Sequence, residues 1–156
     1  MYEVRDGSRT LTFNGELLGA SSSYRRGSTR WIEFELYKTE SGSYVLSRVG
    51  VSVVFHSGAC ELVTKYGLHD SSIADLTADA VPCESCQPTF EAQLVFPEKY
   101  RYWAQVSDDP QAVLDALYKY DDGGARYLTW VARRVLEEAA DNDPDIDSVY
   151  RVEHIP

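Results

Sequence analysis

Arg30-Trp31-Ile32-Glu33-Phe34-Glu35-Leu36-Tyr37 sets Ile32, Phe34 and Leu36 on one parity and Glu33 and Glu35 on the other. That period of two predicts a half-buried strand. After Thr39-Glu40-Ser41-Gly42-Ser43 comes the run Tyr44 to Phe55, where Val45, Val49, Val51, Val53 and Phe55 share a parity and Arg48 and Ser52 take the other. It is the expected hairpin partner. With Ser41-Gly42 as a two-residue turn, Phe34 faces Val49, Ile32 faces Val51, and Glu35 faces Arg48 as an opposite-charge pair. A three-residue loop would instead set Phe34 against Arg48 or Gly50. The pattern therefore favours the two-residue turn, or a four-residue loop of the same parity. Upstream, Thr10 to Ser22 contains Asn14-Gly15, which supplies the positive φ angles of a tight hairpin. A meander of about four strands is expected.

The second half changes period. Thr89 to Phe96 and Tyr100 to Ser107 are strand candidates interrupted by Pro97. Asp109-Pro110 is a helix start, with Asp as cap and Pro at the first helical position, and Val113, Leu114, Leu117 and Tyr118 form its apolar side. Asp121-Asp122-Gly123-Gly124 ends it. A longer helix is predicted over roughly Ala125 to Ala140, its stripe made by Leu128, Val131, Ala132, Val135, Leu136 and Ala139, closed by Asn142 and Pro144. Ser148 to Ile155 is either a final strand or a short helix, since Val149, Tyr150, Val152 and Ile155 satisfy neither period cleanly.

Composition fits this outline: 156 residues, 44% hydrophobic and 26% charged, are enough for a single domain to bury a core without disulfide staples. The expected fold class is α+β, an antiparallel β-meander with a zinc-tied loop and two C-terminal helices on one face. The domain 1–156 reads as a β-rich hairpin region (1–57), a zinc-binding loop (58–88), and strands with acidic helices (89–156).

Net charge is -10, which disfavours a general polyanion-binding surface. It is uneven: seven basic and six acidic side chains fall in 1–57, eight basic and nineteen acidic in 58–156. No apolar run is long enough to span a bilayer, and Met1-Tyr2-Glu3-Val4-Arg5-Asp6 lacks a signal-peptide layout, so no membrane association and a cytoplasmic location are expected.

All three cysteines cluster. His56-Ser57-Gly58-Ala59-Cys60 is followed, after twenty-two residues, by Cys83-Glu84-Ser85-Cys86. A Cys-x-x-Cys knuckle lets two thiolates reach one ion, and His56 with Cys60 can complete a tetrahedron, a Cys₃His zinc pattern. His69, inside the spacer, is the competing imidazole. Four protein ligands leave no position for water, which makes such a zinc structural. Without metal the cysteines would be small buried hydrophobes, but the long polar spacer then lacks anything to hold it. A thioredoxin-like redox pair is disfavoured because Pro88 follows Cys86 too closely for a helix. Pro82-Cys83-Glu84-Ser85-Cys86 resembles the Pro-Cys-x-x-Cys half of the zinc deaminase signature, which implies deamination of a nucleobase. The other half is missing, since Gly58 and Leu62 stand where a Glu two residues after the first ligand is required. A hydrolytic zinc with Glu61 or Glu84 as base is the remaining catalytic reading.

Arg25, Arg26 and Arg30, near Tyr24 and Trp31, form a small basic and aromatic cluster suited to phosphate or an acidic partner. Tyr100-Arg101-Tyr102-Trp103 reads as core rather than a stacking platform, and Asp121-Asp122 as a turn rather than a cation site. Glu137, Glu138, Asp141, Asp143, Asp145 and Asp147 crowd a helix C-terminus, where they oppose its dipole, a hint that they meet a basic surface. The expected function is a non-enzymatic binding or adaptor module with a structural zinc, contacting a basic protein partner through its acidic C-terminal half. The alternatives are a zinc-dependent hydrolase or deaminase acting on nucleotides or nucleic acid, and a nucleic-acid-binding domain that uses the local basic loop Arg25/Arg26/Arg30.

Overall fold

The computed structural model describes residues 1–25, 28, 30–55, 81–82 and 98–156. It divides into two compact units, one of Met1–Ser23, Ile32–Val49 and Tyr102–Pro156, the other of Tyr24–Trp31 and Gly50–Arg101. The class is α+β. Strands β1 (Tyr2–Asp6) and β2 (Arg9–Phe13) form an antiparallel hairpin. Strands β3 (Gly15–Ser22), β4 (Arg30–Thr39) and β5 (Tyr44–Phe55) lie side by side; β6 (Val81–Pro82) and β7 (Glu98–Ser107) also pair with β5. Helix α1 (Pro110–Leu117) is followed by the two-residue strands β8 (Lys119–Tyr120) and β9 (Arg126–Tyr127), then by α2 (Trp130–Asn142) and α3 (Pro144–Tyr150). Among the described residues no helix is long and apolar enough to cross a membrane.

In the first unit the sheet is covered on both sides. Leu18, Phe34, Leu36, Tyr44 and Leu46 pack with Val113, Leu114 and Leu117 of α1, Val131, Val135, Leu136 and Ala139 of α2, and Ile146 of α3. Tyr37, Val45 and Ala104 pack with Val4, and Tyr2, Leu11 and Phe13 of the β1–β2 hairpin join them. Helix α2 forms because Thr129 caps it, its side chain accepting the Ala132 N–H at 3.3 Å, and because its apolar positions recur at helical spacing. Val135, Leu136 and Ala139 are fully buried, and each large aliphatic side chain among them contributes about 1.5–3 kcal/mol. Helix α2 lies directly on β3 at Gly19, where a Cβ would come within 2.7 Å of the Val135 carbonyl oxygen. Glycine is required there by that close approach.

Three sequence expectations are corrected, and one alternative left open is decided. The Asn14-Gly15 step is not a hairpin turn: Gly15 already lies in β3 opposite Thr39, and the first hairpin turns instead at Gly7-Ser8. The β4–β5 loop has three residues. Gly42 N–H donates to the Thr39 carbonyl at 2.9 Å, Thr39 N–H to the Ser43 carbonyl at 2.8 Å, and Gly42 takes a φ of 91°, a type I turn closed by a left-handed glycine. Thr39 thus stands opposite Ser43, and residues of like parity share a face, Leu36 with Leu46 and Tyr37 with Val45. The long helix begins at Trp130 rather than Ala125, because Asp121–Gly124 is the turn of a small hairpin. Asp121 Oδ1 accepts the N–H groups of Gly123 and Ala125, both at 2.9 Å. Finally, the ambiguous C-terminal stretch is helical through Tyr150, with Asp143 as its cap. The Asp109 cap and Pro110 start of α1 stand as expected, Asp109 accepting the Gln111 N–H at 2.9 Å.

Candidate functional site

Of the residues singled out in the sequence, His56, Cys60, Cys83, Cys86, the alternative ligand His69, the candidate bases Glu61 and Glu84, Arg26 and the strand candidate Thr89 to Phe96 lie outside the described residues. Among the described residues there is no group of three or more His, Cys, Asp or Glu able to hold a metal. The strands that lead into the cysteine segments are described: β5 and β6 pair in parallel, Val54 opposite Val81 and Phe55 opposite Pro82. Residue 56 follows Phe55 and residue 83 follows Pro82 in the chain, so both segments depart from neighbouring strand ends, about 4.8 Å apart. Arg25 and Arg30 are exposed. Ser28 clasps the backbone of Arg25, its Oγ accepting the Arg25 N–H at 3.0 Å and its own N–H donating to the Arg25 carbonyl at 2.8 Å. Tyr24 and Trp31 meet edge to face with centroids 4.8 Å apart.

The acidic C-terminal run has internal partners. Arg151, just past α3, reaches Glu137 at 3.2 Å, Asp141 at 2.8 Å and Asp147 at 3.3 Å. Its hydrogen bonds to Asp141 and Glu137 raise the guanidinium pKa further. Asp143 is buried; its Oδ1 takes Lys38 Nζ at 2.7 Å, and its Oδ2 takes the Tyr44 hydroxyl at 2.6 Å and the Ile146 N–H at 3.1 Å. Burial alone would raise the Asp143 carboxyl, but the hydrogen bonds from Lys38, Tyr44 and the backbone outweigh it and hold it below its ordinary value. Its own hydrogen bond raises Lys38 in return, and burial with the Asp143 contact pushes Tyr44 up to about 12. This satisfied cluster ties β4 and β5 to the junction of α2 and α3. Acids that would oppose the α2 dipole are thereby compensated from inside the fold.

The one-residue change in hairpin register has a further result. Arg48, expected beside Glu35, shares the helix-facing side with Phe34 and lies 5.0 Å over the ring of Trp103. There it borders a cleft of about 330 Å³ in the first unit. Phe34, Ile32, Leu117, Trp130 and Val131 give the cleft apolar walls, and Lys119 supplies a second cation. Among the described residues no Asp or Glu lines it. Sequence reading missed this site because its lining comes from five separated stretches, 23, 32–34, 48, 116–119 and 129–131, with no shared spacing.

Comparison with protein-family models, curated proteins and solved structures gives no match.

Proposed function

We propose that the protein is a non-enzymatic binding module, tied by a structural zinc held by His56, Cys60, Cys83 and Cys86, that meets a basic protein surface through its acidic C-terminal half. The observation that supports it is the parallel pairing of Phe55 with Pro82. Both ligand-bearing segments then start from adjacent strand ends, and a tetrahedral ion needs little chain closure to join them. Four protein ligands fill the coordination sphere, which assigns the metal to folding and leaves function to the surface. That surface carries an excess of carboxylates over residues 58–156, and carboxylates accelerate and orient encounter with a cationic partner.

Elemental analysis of the purified protein together with a melt in chelator tests the zinc. One equivalent of zinc and a large loss of stability on its removal are expected; metal-free protein with an unchanged melt overturns it. For the surface, a Lys-rich peptide is titrated at rising salt. Affinity is expected to fall about tenfold or more between ~0.05 and ~0.5 M NaCl; binding indifferent to salt overturns the charge-driven contact.

A further inference from the structure

We propose that the cleft bordered by Arg48 and Lys119 binds a small organic carboxylate with a flat apolar body. This goes beyond the binding-module reading and does not depend on zinc, since every lining residue belongs to the first unit.

Size and wall chemistry come first. A space of about 330 Å³ lies at the lower end of the range for small-molecule sites, which are mainly apolar with a few placed polar groups. Phe34, Leu117 and Val131 are buried side chains that expose one flank to the cleft. They offer a body of one or two rings what the core offers its own aromatics.

Charge decides the class. The chain carries -10 overall, yet among the described residues the only formal charges lining this cleft are the cations Arg48 and Lys119. Among the described residues neither has a carboxylate within salt-bridge distance. Local charge is thus opposite in sign to the molecule, and an anion is drawn to this spot rather than to the surface around it. Arg48 is held over Trp103 at 5.0 Å, so its planar fork is already oriented and loses less freedom when it closes on a carboxylate. A cationic or neutral ligand of the same shape gains the apolar wall but not the fork.

The experiment is calorimetric titration of the full chain with three probes of one shape: 2-naphthoate, 2-naphthylmethanol and 2-naphthylmethylammonium. Naphthoate is expected to bind one to one, at least about tenfold more tightly than the alcohol, with no detectable binding of the ammonium. Arg48→Gln and Lys119→Gln change exposed side chains. Each is expected to weaken naphthoate about fivefold or more while leaving the alcohol and the thermal melt unchanged. In a ¹H–¹⁵N spectrum the indole N–H of Trp130 is expected to shift on titration. Equal affinity for the three probes, no binding of naphthoate at about 5 mM, or naphthoate affinity untouched in both variants overturns the proposal.

Discussion

The hydroxyl of Tyr44 donates to Oδ2 of Asp143 at 2.6 Å, across 99 positions of sequence. This one carboxylate also takes Lys38 Nζ and caps α3 through the Ile146 N–H, so three elements share a single buried group. Removing it leaves the buried Tyr44 hydroxyl without this acceptor, opens the cap of α3, and leaves the partly exposed Lys38 ammonium with only Asp145 among the described carboxylates, at 3.6 Å. Asp143→Ala is therefore expected to cost about 2–4 kcal/mol, from the hydroxyl and the cap together with a weakened ion pair, whereas Tyr44→Phe, which leaves the Lys38 pair intact, costs about 1–2 kcal/mol. Urea unfolding monitored by circular dichroism measures both. Equal losses for the two variants would mean that the pair with Lys38 contributes nothing.

The same cluster sets pH dependence at both ends. The Asp143 carboxyl is held below its ordinary value of 3.8. Its contribution is fully present above that value and is lost as pH falls through the lower native one. Tyr44 moves from 10.0 to about 12, so its contribution is complete below 10 and is lost as pH rises toward 12. Tyr150, raised to about 12 by burial and by its hydrogen bond to Glu137, adds to the alkaline limb. Melting temperature is expected to fall at both extremes. Tyr44→Phe should flatten part of the alkaline fall and Asp143→Asn the acidic one; an unaltered profile in both would place the titration elsewhere.

Packing gives a third expectation, at Gly19. The Cβ of an alanine there would lie 2.7 Å from the Val135 carbonyl oxygen and 3.0 Å from the Ala139 nitrogen. Both are backbone atoms of α2 and cannot rotate away. Gly19→Ala is expected to destabilise by about 1–3 kcal/mol by forcing helix and sheet apart, read from the urea midpoint. A neutral or stabilising result would show that α2 slides on β3 without cost.

The parts legible in the sequence were those set by local chemistry. The Asp109-Pro110 start of α1, the apolar stripe of α2 and the alternation of β4 depend on neighbours a turn or a pleat away. Parity along β5 was not legible, because the strand is covered on both faces, Tyr44 and Leu46 on one and Val45 on the other. A doubly buried strand has no polar face to mark register. Pairing apolar with apolar keeps Phe34 away from Arg48, and this is the juxtaposition that the three-residue loop produces and that borders the cleft. A local rule broken at one place marked the candidate site. The acidic run was visible as composition, but its internal partners Arg151 and Lys38 lie on separate elements and no spacing announces them.

Arg151 offers the last expectation. It gathers Glu137, Asp141 and Asp147 within 3.3 Å or less, and all of these groups reach solvent. Arg151→Ala leaves three like charges near one another at the surface without their shared cation. The melting temperature of the variant is expected to fall more at low ionic strength than at about 0.5 M NaCl, where surface charges are screened over a few ångströms. Binding should move the other way. If the C-terminal carboxylates are the surface that meets a basic partner, releasing three of them raises affinity for a Lys-rich peptide at low salt, and the gain vanishes at high salt. A variant that melts lower but binds the peptide no better would separate the two roles: the carboxylates would then serve to anchor α3, and the contact with a cationic partner would belong to another part of the acidic half.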